Sequence, residues 1–111
     1  MPAIVTDVHY RMAVALLRDL RDAGVTVIAC EMDTNPAPAG FAVRGLARCV
    51  TLPKSGYDDA LFALCEAVFR ENGEKPALLP VGAATLAMLA SQHARFDAVC
   101  GLCIPSTEQL A

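Results

Sequence analysis

One hundred and eleven residues make one domain, enough for a single core but short for an enzyme with its own substrate and nucleotide pockets. A formal net charge of -3 and a pI near 5.2 argue against general nucleic-acid binding, because no basic run is present to neutralise phosphates. No stretch reaches the roughly 18 consecutive apolar residues of a membrane span, and Met1-Pro2-Ala3 lacks the basic start of a signal peptide, so a soluble cytoplasmic protein is expected.

The first element is a short apolar run, Ala3 to Val5, that stops at Thr6-Asp7. A helical pattern follows at once, with Met12, Ala13, Leu16, Leu17 and Leu20 on one stripe of a 3.6-residue repeat. A buried strand feeding a helix through a polar turn opens a βαβ unit. The turn carries Thr6, Asp7, His9 and Arg11, four groups able to touch a ligand. Asp7 has a structural reading as the helix N-cap, and His9 one as a helix-surface or partly packed ring. Arg11 near a helix start opposes the dipole, so it is either solvated, paired with a carboxylate, or reaching over the sheet edge to hold a carboxylate or phosphate.

Ala23-Gly24 stops the helix, and Val25 to Cys30 is a β-branched strand with little alternation, as expected of one buried on both faces. The chain turns polar at Glu31 and loosens through Asp33 to Gly40, where Pro36 and Pro38 rule out a regular helix; a helical turn or two fits between Phe41 and Leu46. Arg48 to Leu52 reads as a third strand closed by Pro53. Ser55 is a plausible N-cap for a second helix with Leu61, Leu64, Cys65, Val68 and Phe69 buried, ended by Asn72-Gly73. Ala77 to Pro80 is a fourth strand. A third helix runs from Ala83 to about His93, whose imidazole then faces the helix C-terminus, and Ala98 to Leu102 is a short fifth strand.

The hydrophobic fraction is 55% even before seven glycines are counted, above the roughly 45–50% usual with glycine included. Twenty alanines account for part of this. A small domain should nonetheless be polar outside, so some apolar face is expected to be covered by another domain or a second copy of the chain. Five cysteines suit a reduced compartment; Cys30, Cys49 and Cys65 read as buried small hydrophobes. Cys100-Gly-Leu-Cys103 is formally a C-x-x-C, but it straddles a strand end without the second ligand pair a zinc site needs. Pro105 to Leu110 reads as a helix start with capping-box spacing between Ser106 and Gln109, so the chain is expected to be the first part of something longer or half of a split system.

This element order predicts a three-layer, Rossmann-like α/β domain with a parallel sheet of four to five strands. If strands one to three build outward, strand four pairs on the other side of strand one. The crevice then lies between Thr6-Asp7 and Pro80-Val81-Gly82. Gly82 is either a tight turn or a place where backbone meets ligand, with the amides of Ala83 and Ala84 at a helix start facing an anion. No G-x-G-x-x-G and no Walker-type motif occurs.

Thr6-Asp7-x-His9-Tyr10-Arg11, Gly40-Phe41 followed by Arg44 and Arg48, Leu52-Pro53, Leu79-Pro80-Val81-Gly82-Ala83-Ala84-Thr85-Leu86 and Ile104-Pro105-Ser106 together resemble the pre-ATP-grasp domain of ATP-grasp ligases. The nearest branch is the carboxylate–amine ligases similar to the carbamoyl-phosphate synthase large subunit, and the resemblance covers nearly the whole chain. It implies that residues 1–111 are the N-terminal, substrate-side domain of a longer enzyme that phosphorylates a carboxylate with ATP and Mg²⁺ and passes the acyl group to an amine. It implies no cofactor and no catalysis in this chain alone, with the downstream ATP-grasp domains as partners and a small carboxylate or amine as ligand. Thr6, Asp7, His9, Arg11, Arg44, Gly82 and Ala83 are the substrate-side candidates. Where related sequences carry Ser-Arg-Tyr after the loop, this chain has Val43-Arg44-Gly45, keeping the guanidinium and losing a hydroxyl and a ring. The alternatives are a free-standing binding or regulatory module that acts as an oligomer, and a structural subunit without a ligand.

Overall fold

The computed structural model describes residues 1–102. Five strands form one parallel sheet: β1 (Ala3–Val5), β2 (Val27–Met32), β3 (Arg48–Leu52), β4 (Ala77–Leu79) and β5 (Gly101–Leu102), in the order β3-β2-β1-β4-β5. The strand order reverses at β1, which pairs with β2 through Ile4–Ile28 and with β4 through Ile4–Leu78. This is the predicted Rossmann-like α/β architecture, with β1 central.

Alternation along the strands sends side chains to two cores. Ile4, Ile28, Cys30 and Leu78 face α2 (Tyr57–Asn72), α3 (Ala83–Ser91) and α4 (His93–Asp97), where Leu61, Val68, Leu89 and Phe96 close the larger cluster. Val5, Val27 and Ala29 face α1 (Arg11–Asp22) together with Ala13, Leu17 and Val43. Each fully buried leucine or phenylalanine in these clusters contributes about 1.5–3 kcal/mol relative to exposure. A 3-10 turn, Ala39–Ala42, seals the α1 side of the loop after β2. Gly40 packs so tightly there that a Cβ on it would lie 2.5 Å from Val8 Cβ, while its N–H donates to the Val8 carbonyl at 2.9 Å.

Several local expectations are corrected. Asp7 is not the cap of α1: it adopts φ 57, the helix starts at Arg11, and the N-cap is Tyr10 with no side-chain hydrogen bond. Ser55 does not cap α2 either; Gly56, at φ 72, holds that position and leaves the acidic residues Asp58 and Asp59 to meet the dipole. Met12 is 73% exposed, because the buried stripe of α1 is centred on Ala13 and Leu17 and Met12 lies about 100° round the helix from Ala13. The strand β2 begins two residues later than expected and continues through Glu31 and Met32. His93 opens α4 rather than closing α3, since the helix breaks at Gln92. Residues Val99 and Cys100 turn back onto the Phe96 carbonyl, which shortens β5. Cys49 is exposed, because β3 is an edge strand that α1 does not cover, whereas Cys30 and Cys65 are buried as expected. Cys103, Ile104-Pro105-Ser106 and the helix start at Ser106 lie outside the described residues. No helix among the described residues is long and apolar enough to cross a membrane.

Candidate functional site

The turns after β1 and β4 meet at the carboxyl edge, where the strand order reverses. In an open α/β sheet this is where a crevice opens for a ligand. Asp7 occupies the left-handed region, which a short polar side chain tolerates better than most. That conformation swings its carboxylate across to the next strand's turn. Oδ2 accepts the Gly82 N–H at 3.0 Å and the neighbouring Thr6 hydroxyl, and Oδ1 accepts the Thr85 hydroxyl at 3.2 Å. Thr6 Oγ1 in turn accepts the Val81 N–H at 3.3 Å. Two adjacent residues of the first turn thus fasten the second.

Gly82 sits flat against this carboxylate, and its backbone is extended, so the requirement for glycine is steric rather than conformational. The anion at the start of α3 is therefore the chain's own Asp7. It holds the Gly82 amide, one residue before the Ala83 and Ala84 amides expected to face an anion. Thr85, buried with Asp7, has one proton and gives it to the carboxylate, which can only accept; the Tyr57 O–H, 3.3 Å away, then donates to Thr85 Oγ1.

A second buried carboxylate lies beside this one in the sheet. Glu31, 1% exposed, projects from β2 on the α1 side. Its Oε1 accepts the His9 backbone N–H at 3.1 Å and also meets His9 Nδ1, while Oε2 accepts the Met32 N–H at 3.0 Å. The His9 side chain is 35% exposed, and its ring stacks at a tilt on Tyr10, with centroids 4.1 Å apart. Burial and the two carboxylates, Asp7 and Glu31, push the Cys30 thiol well above its ordinary value. Burial, then Cys30, raises the Tyr57 phenol in the same way. Tyr57 is thus held as a neutral O–H donor.

Outside this network an open groove of about 440 Å³ runs between the starts of α1 and α3, lined by Tyr10, Arg11, Met12, Val81 and Ala83. Its walls are apolar apart from one guanidinium. Arg11 is exposed and, among the described residues, has no hydrogen-bond or ion-pair partner. A second groove, about 350 Å³ and lined by Glu66, Phe69, Arg70, Gly73 and Val99, lies where α2 ends; its Arg70 is already paired with Glu66 at 2.8 Å.

Of the residues singled out in the sequence, the fold brings Thr6, Asp7 and Gly82 into contact and sets His9, Arg11 and Ala83 around the same edge. Arg44 is not brought there. Its carbonyl accepts from Arg21 at 2.9 Å in the last turn of α1, ten residues and about 15 Å along the helix from Arg11. Glu31, Tyr57 and Thr85 were not read as site residues. The signal for Glu31 was available: a lone acid at the carboxyl end of a β-branched run, one residue past Cys30. No family model matches the chain, and no curated protein and no solved structure matches it.

Proposed function

We propose that this domain forms the substrate-side wall of an ATP-dependent carboxylate–amine ligase of the ATP-grasp type, with the nucleotide-binding domains following in the longer polypeptide. The observation that carries the reading is the groove at the strand-order reversal: largely apolar walls with one guanidinium, Arg11, that is unpaired among the described residues. Such a site suits a small carboxylate or phosphate carried on an apolar body. Two of the stretches that resemble pre-ATP-grasp domains meet beside it: Thr6 Oγ1 accepts the Val81 N–H and Asp7 Oδ2 the Gly82 N–H. At the groove the domain's part is to bind and orient the substrate. ATP and Mg²⁺ belong to the other domains and supply the acyl phosphate.

The test is phosphate release from ATP and Mg²⁺ with a panel of carboxylates and amines. The polypeptide carrying this domain together with nucleotide-binding domains should release phosphate only when an acceptor carboxylate is present. Residues 1–111 alone should release none, and nucleotide turnover by them would overturn the assignment.

A free-standing binding module that works as an oligomer is the second reading. It draws on Tyr10, Met12 and Leu86, which are 48%, 73% and 42% exposed around the starts of α1 and α3. Sedimentation of the isolated chain as a clean monomer, with no dye binding to apolar surface, would remove its basis.

A further inference from the structure

The pairing of Glu31 with His9 is more than the fold requires. A backbone N–H in a turn is satisfied by any acceptor, yet the chain buries an ionised-type group at 1% exposure to hold both the N–H and the ring of one residue. Burying a carboxylate costs several kcal/mol unless it is fully hydrogen-bonded. Here both oxygens are engaged, by His9 and by the Met32 N–H. The consequence falls on the imidazole. A carboxylate only accepts, so Nδ1 carries the proton, and in the neutral ring Nε2 keeps its lone pair. The ring is partly exposed, and Nε2 has no hydrogen-bond partner among the described residues. His9 stands two residues before Arg11 and stacks on Tyr10, which lines the groove. A packing role would account for the ring contact with Tyr10, but not for a tautomer fixed by a buried carboxylate on a partly exposed ring.

We propose that His9 is the proton acceptor of the crevice and Glu31 its positioning residue, and that the proton comes from an amine nucleophile. The identity of the amine's partner rests on the ligase reading above. In that reaction the amine nitrogen forms a bond to the carbonyl carbon of an acyl phosphate, and the carbon–oxygen bond to phosphate breaks with its electron pair. The N–H proton passes to His9 Nε2. The imidazolium so formed keeps its Nδ1–H on Glu31, whose charge stabilises it.

Two measurements test this. In ¹⁵N-labelled protein at a pH where the ring is neutral, His9 should show a protonated-type shift at Nδ1 and an unprotonated-type shift at Nε2. Glu31→Gln should move it toward the Nε2–H form. A wild-type ring already in the Nε2–H form would overturn the proposal without any variant being needed. In the complete ligase, His9→Gln should lower kcat for amide formation by about 10²–10⁴-fold. Trapping of the acyl phosphate by hydroxylamine, an α-nucleophile reactive enough to lose its N–H proton to solvent, should continue. Equal amide formation by wild type and His9→Gln would overturn the proposal. Absence of trapped acyl phosphate in the wild type would instead bring down the ligase reading, and amine deprotonation with it, whatever tautomer the ring shows.

Discussion

The carboxylate of Asp7 occupies the place where a side chain at position 82 would begin: a Cβ on Gly82 would lie 2.6 Å from Asp7 Cγ and 2.7 Å from Oδ1. The carboxylate cannot simply swing away, because three donors hold it. Gly82→Ala should therefore destabilise the fold by about 1–3 kcal/mol, the range for overpacking. Urea unfolding reads it. The loss should shrink in an Asp7→Gly background, giving a coupling of about 0.5–3 kcal/mol in the double-mutant cycle. Additive effects would mean that the two residues do not share the space.

Asp7 also bears a backbone cost, since φ 57 is left-handed. Asp7→Ala loses the carboxylate and keeps a Cβ in that region, whereas Asp7→Gly loses the carboxylate alone. Asp7→Ala should be the less stable of the two by about 1–2 kcal/mol. Equal unfolding midpoints would show that the turn relaxes out of the left-handed conformation once the carboxylate is gone.

The buried thiol and phenol predict an alkaline weakness. Burial raises Cys30 above its ordinary 9.0 and Tyr57 above its ordinary 10.0. The unfolded chain therefore releases these protons at lower pH than the folded one. Their contribution is complete below about pH 9 and declines as the pH rises through the folded values, by about 1.4 kcal/mol per pH unit for each group while only the unfolded form ionises. Denaturant midpoints from pH 8 to pH 11 should fall. Cys30→Ala should make the decline between about pH 9 and pH 10 shallower rather than abolish it, because the buried Cys65 thiol is raised as well, and Tyr57 adds its share from near pH 10.

Arg11 gives the direct test of the groove. If it holds a substrate carboxylate or phosphate in the intact enzyme, Arg11→Ala should weaken binding by about 1.5–3 kcal/mol. Arg11→Lys should recover part of that, keeping the charge and losing the planar fork. Arg44→Ala, with its backbone at the far end of α1, should leave affinity unchanged. Substrate titration of the three variants against wild type decides, and a flat series would leave Arg11 as a solvated surface residue.

Local pattern alone determined the parallel sheet, the reversal at β1 and the pairing of the Thr6-Asp7 turn with the Val81-Gly82 turn. Short apolar runs alternating with helical stripes admit few other topologies once crossovers are right-handed. Sequence could not assign the partners of Asp7, because an aspartate before a helix looks like its cap until the chain is seen to turn left-handed and reach β4 instead. Nor could it show Glu31 as buried: a carboxylate after a β-branched run marks a strand's end unless a distant imidazole and two backbone amides arrive to hold it. Met12 and Arg44 make the same point from the other side. Which face of α1 meets the sheet, and which end of it receives the loop, depends on packing against β1, β2 and the 3-10 turn, contacts made across the fold rather than along the chain.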